Sequence, residues 1–124
     1  MTEIFTRSNV NDAAKLPLGL PLASVSTSTT DVAWQTCGGD GFWIKPLFEG
    51  ANGQHRTWIM KVDAGAWSPP HAHEDLEQIL VLEGTFYDDE KTYHPGDFVL
   101  RAPGAVHTAG SEDGCIVLLI YCPV

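Results

Sequence analysis

Gly65-Ala66-Trp67-Ser68-Pro69-Pro70-His71-Ala72-His73-Glu74-Asp75-Leu76-Glu77-Gln78-Ile79-Leu80-Val81-Leu82-Glu83-Gly84 is the stretch that decides how this chain is read. Side chains alternate along an extended strand, so positions i and i+2 face one side. His71 and His73 therefore point together into one space, and Glu77 has the same parity. His107 comes from a different strand further along. Three imidazoles and one carboxylate are a sound donor set for Zn, Fe, Mn, Ni or Cu. Pro69-Pro70 restricts the backbone just before the first histidine, which favours a preformed site. An HxH pair alone is a weak signal, since isolated histidines are usually surface or satisfied core residues. The weight comes from what surrounds it.

Outward from this stretch, short β-type runs alternate with turn signals. Val32–Thr36 comes first, then Phe42–Phe48 behind the turn Cys37-Gly38-Gly39-Asp40-Gly41. Thr57–Val62 follows Asn52-Gly53, and Glu77–Leu82 closes at Glu83-Gly84. Thr85–Tyr87, Phe98–Arg101 behind Pro95-Gly96-Asp97, and Cys115–Tyr121 behind Asp113-Gly114 complete the set. Turn signals spaced by about 8–12 residues predict an all-β sandwich or barrel. Ile79-Leu80-Val81-Leu82 and Ile116-Val117-Leu118-Leu119-Ile120 are apolar at every position, which suits sheets covered on both faces. Residues 1–30 differ: Leu16-Pro17-Leu18-Gly19-Leu20-Pro21-Leu22 and a Ser/Thr run predict an extended N-terminal arm whose leucines pack on the barrel or on a dimer partner. Residues 31–124 are read as a single domain.

Composition bounds the function. The 124 residues are 44% hydrophobic and 19% charged, enough for one globular core. Twelve glycines and eight prolines make the chain turn-rich. Seven Lys and Arg against sixteen Asp and Glu give a net charge of −9, which argues against nucleic acid and against an anionic membrane surface. Cys37, Cys115 and Cys122 are odd in number and form no CxxC, so a reducing cytoplasm is expected. The Leu16–Val25 stretch is broken by Pro17, Gly19 and Pro21 and reads as neither a signal peptide nor a membrane span.

The pattern resembles the cupin family. Gly65, His71, His73, Glu77 and Gly84 match the first cupin motif, G(X)5HXH(X)3E(X)6G, at every fixed position. Gly96, Gly104 and His107 match the second, G(X)5PXG(X)2H(X)3N, where Ala102 replaces the proline, with Pro103 beside it, and Ser111 replaces the asparagine. Both departures fall outside the ligand set. Lys45-Pro46-Leu47-Phe48-Glu49-Gly50, Glu77–Phe86 and Glu112-Asp113-Gly114-Cys115 look like the ChrR-type cupins, a group that includes the C-terminal domain of ChrR anti-sigma factors. Acetylacetone-cleaving and dihydroxyacetophenone-cleaving dioxygenases look like relatives. The resemblance covers residues 32–122. It implies a double-stranded β-helix, the jelly-roll barrel, usually dimeric, with one divalent metal held by His71, His73, Glu77 and His107.

What the resemblance implies about activity divides. The first reading is a metal-dependent dioxygenase acting on a small carbonyl compound of the β-diketone or hydroxyacetophenone type. Its ion is Fe(II) or Zn, with Mn or Ni as further options, and Glu77 is either a fourth ligand or swings away to open a position. The second is a non-catalytic ChrR-like module in which metal and pocket sense a small molecule or oxidant. A metal used for stability alone is a third. ChrR anti-sigma factors carry a separate helical zinc-binding domain; this chain shows no CxxC, so an anti-sigma role is not expected of it.

Other residues are weighed beside these. Trp58 and Met60 alternate with Lys61 and are read as inward, and Phe98 and Leu100 likewise, opposite Arg101. Trp58, Met60 and Phe98 are the candidate substrate pocket, with ordinary core packing the commoner role for such residues. Trp67 either shields the site or packs a dimer. His55, His94 and the Asp88-Asp89-Glu90 tip are read as solvated, and Cys115 as the first candidate for a reactive thiol among otherwise buried cysteines.

Overall fold

A computed structural model describes residues 20–50 and 53–124. Among these residues ten strands follow a 3₁₀ turn at Thr29–Asp31: β1 Gln35–Thr36, β2 Phe42–Glu49, β3 Arg56–Val62, β4 Trp67–His71, β5 Leu76–Gly84, β6 Phe86–Tyr87, β7 Thr92–Tyr93, β8 Phe98–Arg101, β9 His107–Gly110 and β10 Cys115–Cys122. They form two antiparallel sheets, one in the order β1-β2-β3-β10-β5-β8 and the other in the order β4-β9-β6-β7. This is the all-β double-sheet architecture that the turn spacing predicts.

Strict alternation builds the core. The odd members of β10 (Cys115, Val117, Leu119, Tyr121) are buried, and the even ones are half-buried. Register then stacks inward residues in rows. Ile44, Met60, Val117 and Val81 lie side by side across β2, β3, β10 and β5, as do Trp58, Leu119 and Ile79 across β3, β10 and β5. All seven are 2% exposed or less. Each such side chain contributes about 1.5–3 kcal/mol by burial. The outer face of the same sheet carries a second apolar row, Ile59, Leu118, Leu80 and Phe98, on β3, β10, β5 and β8.

Three expectations are corrected. The run Val32–Thr36 pairs only at Gln35–Thr36, because the preceding 3₁₀ turn leads the chain along the sheet, where Lys45 Nζ donates to Thr29 O and both Lys45 and Lys61 lie over the Trp34 ring. The short β7 was not foreseen, being two residues long behind an acidic turn. Phe98 and Leu100 face outward, 56% and 61% exposed, and Arg101 faces inward. Of the arm, residues 1–19 lie outside the described residues, and Leu20, Leu22 and Val25 are exposed. No helix among the described residues is long and apolar enough to cross a membrane.

Candidate metal centre

The two sheets bring the motif residues together from four places. β4 is an edge strand and pairs with β9, with His71 opposite His107. Pro69 and Pro70 have no N–H to give the ladder, and the register slips between Ser68 and His71. The slip turns both Ser68 and His71 inward although they are an odd number of residues apart. The strand ends at His71, so His73 sits on the bend that crosses to the other sheet, still 2% exposed. Glu77 arrives on β5, opposite Arg101 on one side and Tyr121 on the other.

His71, His73 and His107 each offer a ligand atom, and the three atoms lie within 4.8 Å of one another. Their rings are 4.4–5.2 Å apart and mutually tilted, so they converge rather than stack. His71 Nδ1 donates to Pro69 O at 2.8 Å and lies 3.2 Å from Ser68 Oγ; His107 Nδ1 donates to Ala105 O at 3.0 Å. A carbonyl oxygen only accepts, so the proton is on Nδ1 and the Nε2 lone pair is left for the centre. This is how metal-bound imidazoles are oriented: the other ring nitrogen donates outward. Burial pushes His73 and His107 down to about 4, so both are neutral at pH 7 and able to ligate. The donor set therefore fits a divalent ion.

Glu77 completes the cluster in a particular way. Its Oε2 lies 3.2 Å from His73 Nε2 and its Oε1 3.7 Å from His107 Nε2. Oε1 also accepts from Arg101 Nε at 2.9 Å. Burial opposes charge on this carboxylate, but the two imidazoles, the Tyr121 hydroxyl and Arg101 outweigh it and hold Glu77 below the usual range. The Tyr121 hydroxyl lies 3.4 Å from His73 Nε2, and its ring is packed edge-on against Trp58 and under the Arg56 guanidinium.

The description "ChrR Cupin-like domain" matches residues 23–124. The chain belongs to this family. The anti-sigma-E factor ChrR of Cereibacter sphaeroides is 32% identical over 101 residues, which are 79% of this chain and 46% of that protein. The chain thus spans just under half the length of that curated relative. The crystal structure of Rhodobacter sphaeroides SigE in complex with the anti-sigma ChrR superposes with a TM-score of 0.62 at 31% identity, covering 73% of this chain and 50% of that one. A cupin of Shewanella frigidimarina (TM-score 0.69, 21% identity, 82% and 93% covered) and the acetylacetone dioxygenase of Acinetobacter johnsonii (0.68, 14%, 83% and 75%) share the cupin fold.

In this ChrR cupin-like domain the remaining candidates fall out as follows. Trp58 and Met60 face the interior, at 0% and 2% exposure, and Trp58 reaches the cluster through Tyr121. Phe98 does not line the interior. Cys115 is buried and pushed up to about 11, and Cys37 to about 12, both mainly by burial, so neither thiol is poised to react. Trp67 is 52% exposed on β4, and His94 is exposed beside Asp97. A cavity of about 340 Å³ opens near the ends of β3, β5 and β10, lined by Lys61, Asp63, Glu83 and Cys115 among others, but none of the three histidines lines it.

Arg101 and Asp88 were not foreseen as site residues. Asp88 is 8% exposed, not a solvated tip. Its Oδ2 accepts from Tyr93 Oη at 2.8 Å and from both Arg101 Nη atoms at 3.3 Å; its Oδ1 accepts from the backbone N–H of Glu90 and Lys91. Burial opposes the Asp88 charge and these donors more than offset it, so its carboxyl is held low. The available signal was Glu77 itself, since an inward carboxylate requires a buried cation.

Proposed function

We propose that this domain is a metal-binding cupin module that holds one divalent ion with His71, His73 and His107, Glu77 supplying a carboxylate oxygen. The observation that carries this is the buried imidazole triad with two of its outer ring nitrogens tied to carbonyl oxygens. Fe(II) or Zn suits the set best, with Mn or Ni accepted, because availability and geometry rather than the imidazoles choose between them. Its role is that of a ChrR-like sensing module: a small molecule or oxidant changes the centre and a partner protein reads the change. The 32% identity to an anti-sigma factor supports a protein partner.

A second reading is a dioxygenase acting on a β-diketone or hydroxyacetophenone. A six-coordinate Fe(II) held by three imidazoles and one oxygen would keep positions for substrate, and Zn would do so once Glu77 swings away, which favours it. Bound metal would supply the oxygen chemistry; the protein would hold the ligands, exclude water and position the carbonyl. Three unpaired thiols support a reducing cytoplasm. The outward row ending at Phe98 supports a homodimer through the six-stranded sheet.

The test is elemental analysis of anaerobically purified protein beside His107→Ala. One metal per chain, lost in the variant, is expected; no metal in either protein overturns the reading. Oxygen uptake by the Fe(II)-loaded protein with acetylacetone then separates the two roles, turnover favouring the enzyme and binding without turnover the module.

A further inference from the structure

The guanidinium of Arg101 lies between two buried carboxylates. On one edge Nε donates to Glu77 Oε1 at 2.9 Å; on the other, Nη1 and Nη2 both lie 3.3 Å from Asp88 Oδ2. Backbone register fixes the first contact, since Glu77 and Arg101 are direct partners across β5 and β8. Three other donors fix the second: Tyr93 Oη and two backbone N–H groups hold Asp88 on the β6–β7 turn of the opposite sheet. Side-chain exposures of 11%, 4% and 2% for Arg101, Glu77 and Asp88 leave little solvent to loosen the chain of contacts.

We propose that Arg101 is a positioning residue for the metal's carboxylate ligand: by hydrogen-bonding Glu77 Oε1 it biases Glu77 towards donation through Oε2. This rests on the metal reading above. A carboxylate can bind a cation through one oxygen or two. Here Oε1 already accepts a charge-assisted hydrogen bond from Arg101, which draws its electron density away from an ion, whereas Oε2 accepts nothing from Arg101 and lies 3.2 Å from His73 Nε2. A bare guanidinium would repel a nearby divalent ion. Asp88 neutralises it from behind, so Arg101 can stand beside the centre without repelling the ion, and its effect on affinity comes through the donation mode of Glu77. The consequence is one more coordination position for an outside ligand than Glu77 would otherwise leave.

The test is X-ray absorption on the full chain loaded with Zn(II), supported by the visible bands of the Co(II) form. The wild type should show three imidazole nitrogens and a single carboxylate oxygen. Arg101→Met should gain a second carboxylate oxygen and hold Zn(II) at least tenfold more tightly against a chelator. Because this variant strands two buried carboxylates, Arg101→Met/Asp88→Asn, which keeps the local charge balance, is measured beside it and should show the same change. Tyr93→Phe weakens the Asp88 anchor but spares Arg101; it should lower stability and leave the metal spectrum unchanged. An unaltered first shell in the folded double variant, or two Glu77 oxygens in the wild type, would overturn the assignment while leaving the metal site standing. A wild type that takes up no metal would instead remove the site and the assignment together.

Discussion

Gly65 and Gly84 bracket the first motif, and the structure asks different things of them. Both have positive φ, +85° and +72°. Alanine at either position meets the left-handed penalty of about 1–2 kcal/mol, partly offset by a stiffer unfolded chain. At Gly65 that is all, because an added Cβ would have no heavy atom within 4 Å. At Gly84 the same Cβ would lie 2.0 Å from the backbone oxygen of Gly114 and 2.9 Å from Cys115 Cα. Backbone, not a pliable side chain, must then retreat by more than an ångström. Gly84 is the register partner of Cys115, and Thr85 N donates to Gly114 O, so the end of the β5–β10 ladder opens. One backbone hydrogen bond at about 1 kcal/mol and some loss of packing around Cys115 bring the total to roughly 3–4 kcal/mol. Gly65→Ala should lose about 1 kcal/mol. Urea unfolding followed by tryptophan fluorescence measures both, with Trp58 as a buried reporter. Gly84→Ala should fall at least ~2 kcal/mol below Gly65→Ala at an unchanged slope. Equal losses would refute the reasoning, since they would mean that conformation alone, and not the approach of β10, demands glycine at the end of β5.

Metal-free protein should be acid-sensitive well above the carboxylate range. His73 and His107 sit at about 4 in the fold against an ordinary 6.5, so below 6.5 the unfolded chain binds more protons. Their contribution is complete above pH 6.5 and is lost as pH falls towards 4, by up to roughly 3 kcal/mol each. Chelator-treated protein unfolded by urea from pH 7.5 to 4.5 checks this, and a flat profile would contradict it. The apolar outer row predicts a dimer: sedimentation at micromolar concentration should give twice the 13.5 kDa chain mass, and Phe98→Glu with Leu100→Glu should give the monomer. A monomeric wild type removes this interface.

The strands β2, β3, β5 and β10 were legible because each is an apolar-rich run bounded by turn residues, with Trp58, Met60 and Val62 alternating with Lys61 in β3, and the four ligand candidates were legible because their spacing repeats a known motif. What failed was the choice of face on β8. Phe98-Val99-Leu100-Arg101 offers two apolar residues on one parity and one cation on the other, and a rule that sends the larger apolar pair inward picks the wrong side. The rule fails here because Glu77 is already committed to the interior opposite Arg101, and a buried anion without its cation is far costlier than two apolar side chains left on an outer face. The same cause explains Asp88. Read locally, three acidic residues at a turn are a solvated tip; only the fold shows that Arg101 and Tyr93 arrive there from other strands. Turn-bounded apolar runs thus placed the barrel and motif spacing placed the ligand candidates, but the orientation of its edge strand was decided by one charge seeking another across the sheet, a pairing that exists only once β5 and β8 are in register. Hence the residues that tune this centre, unlike those that form it, carry no signature in their own stretch of chain and must be sought opposite the ligands.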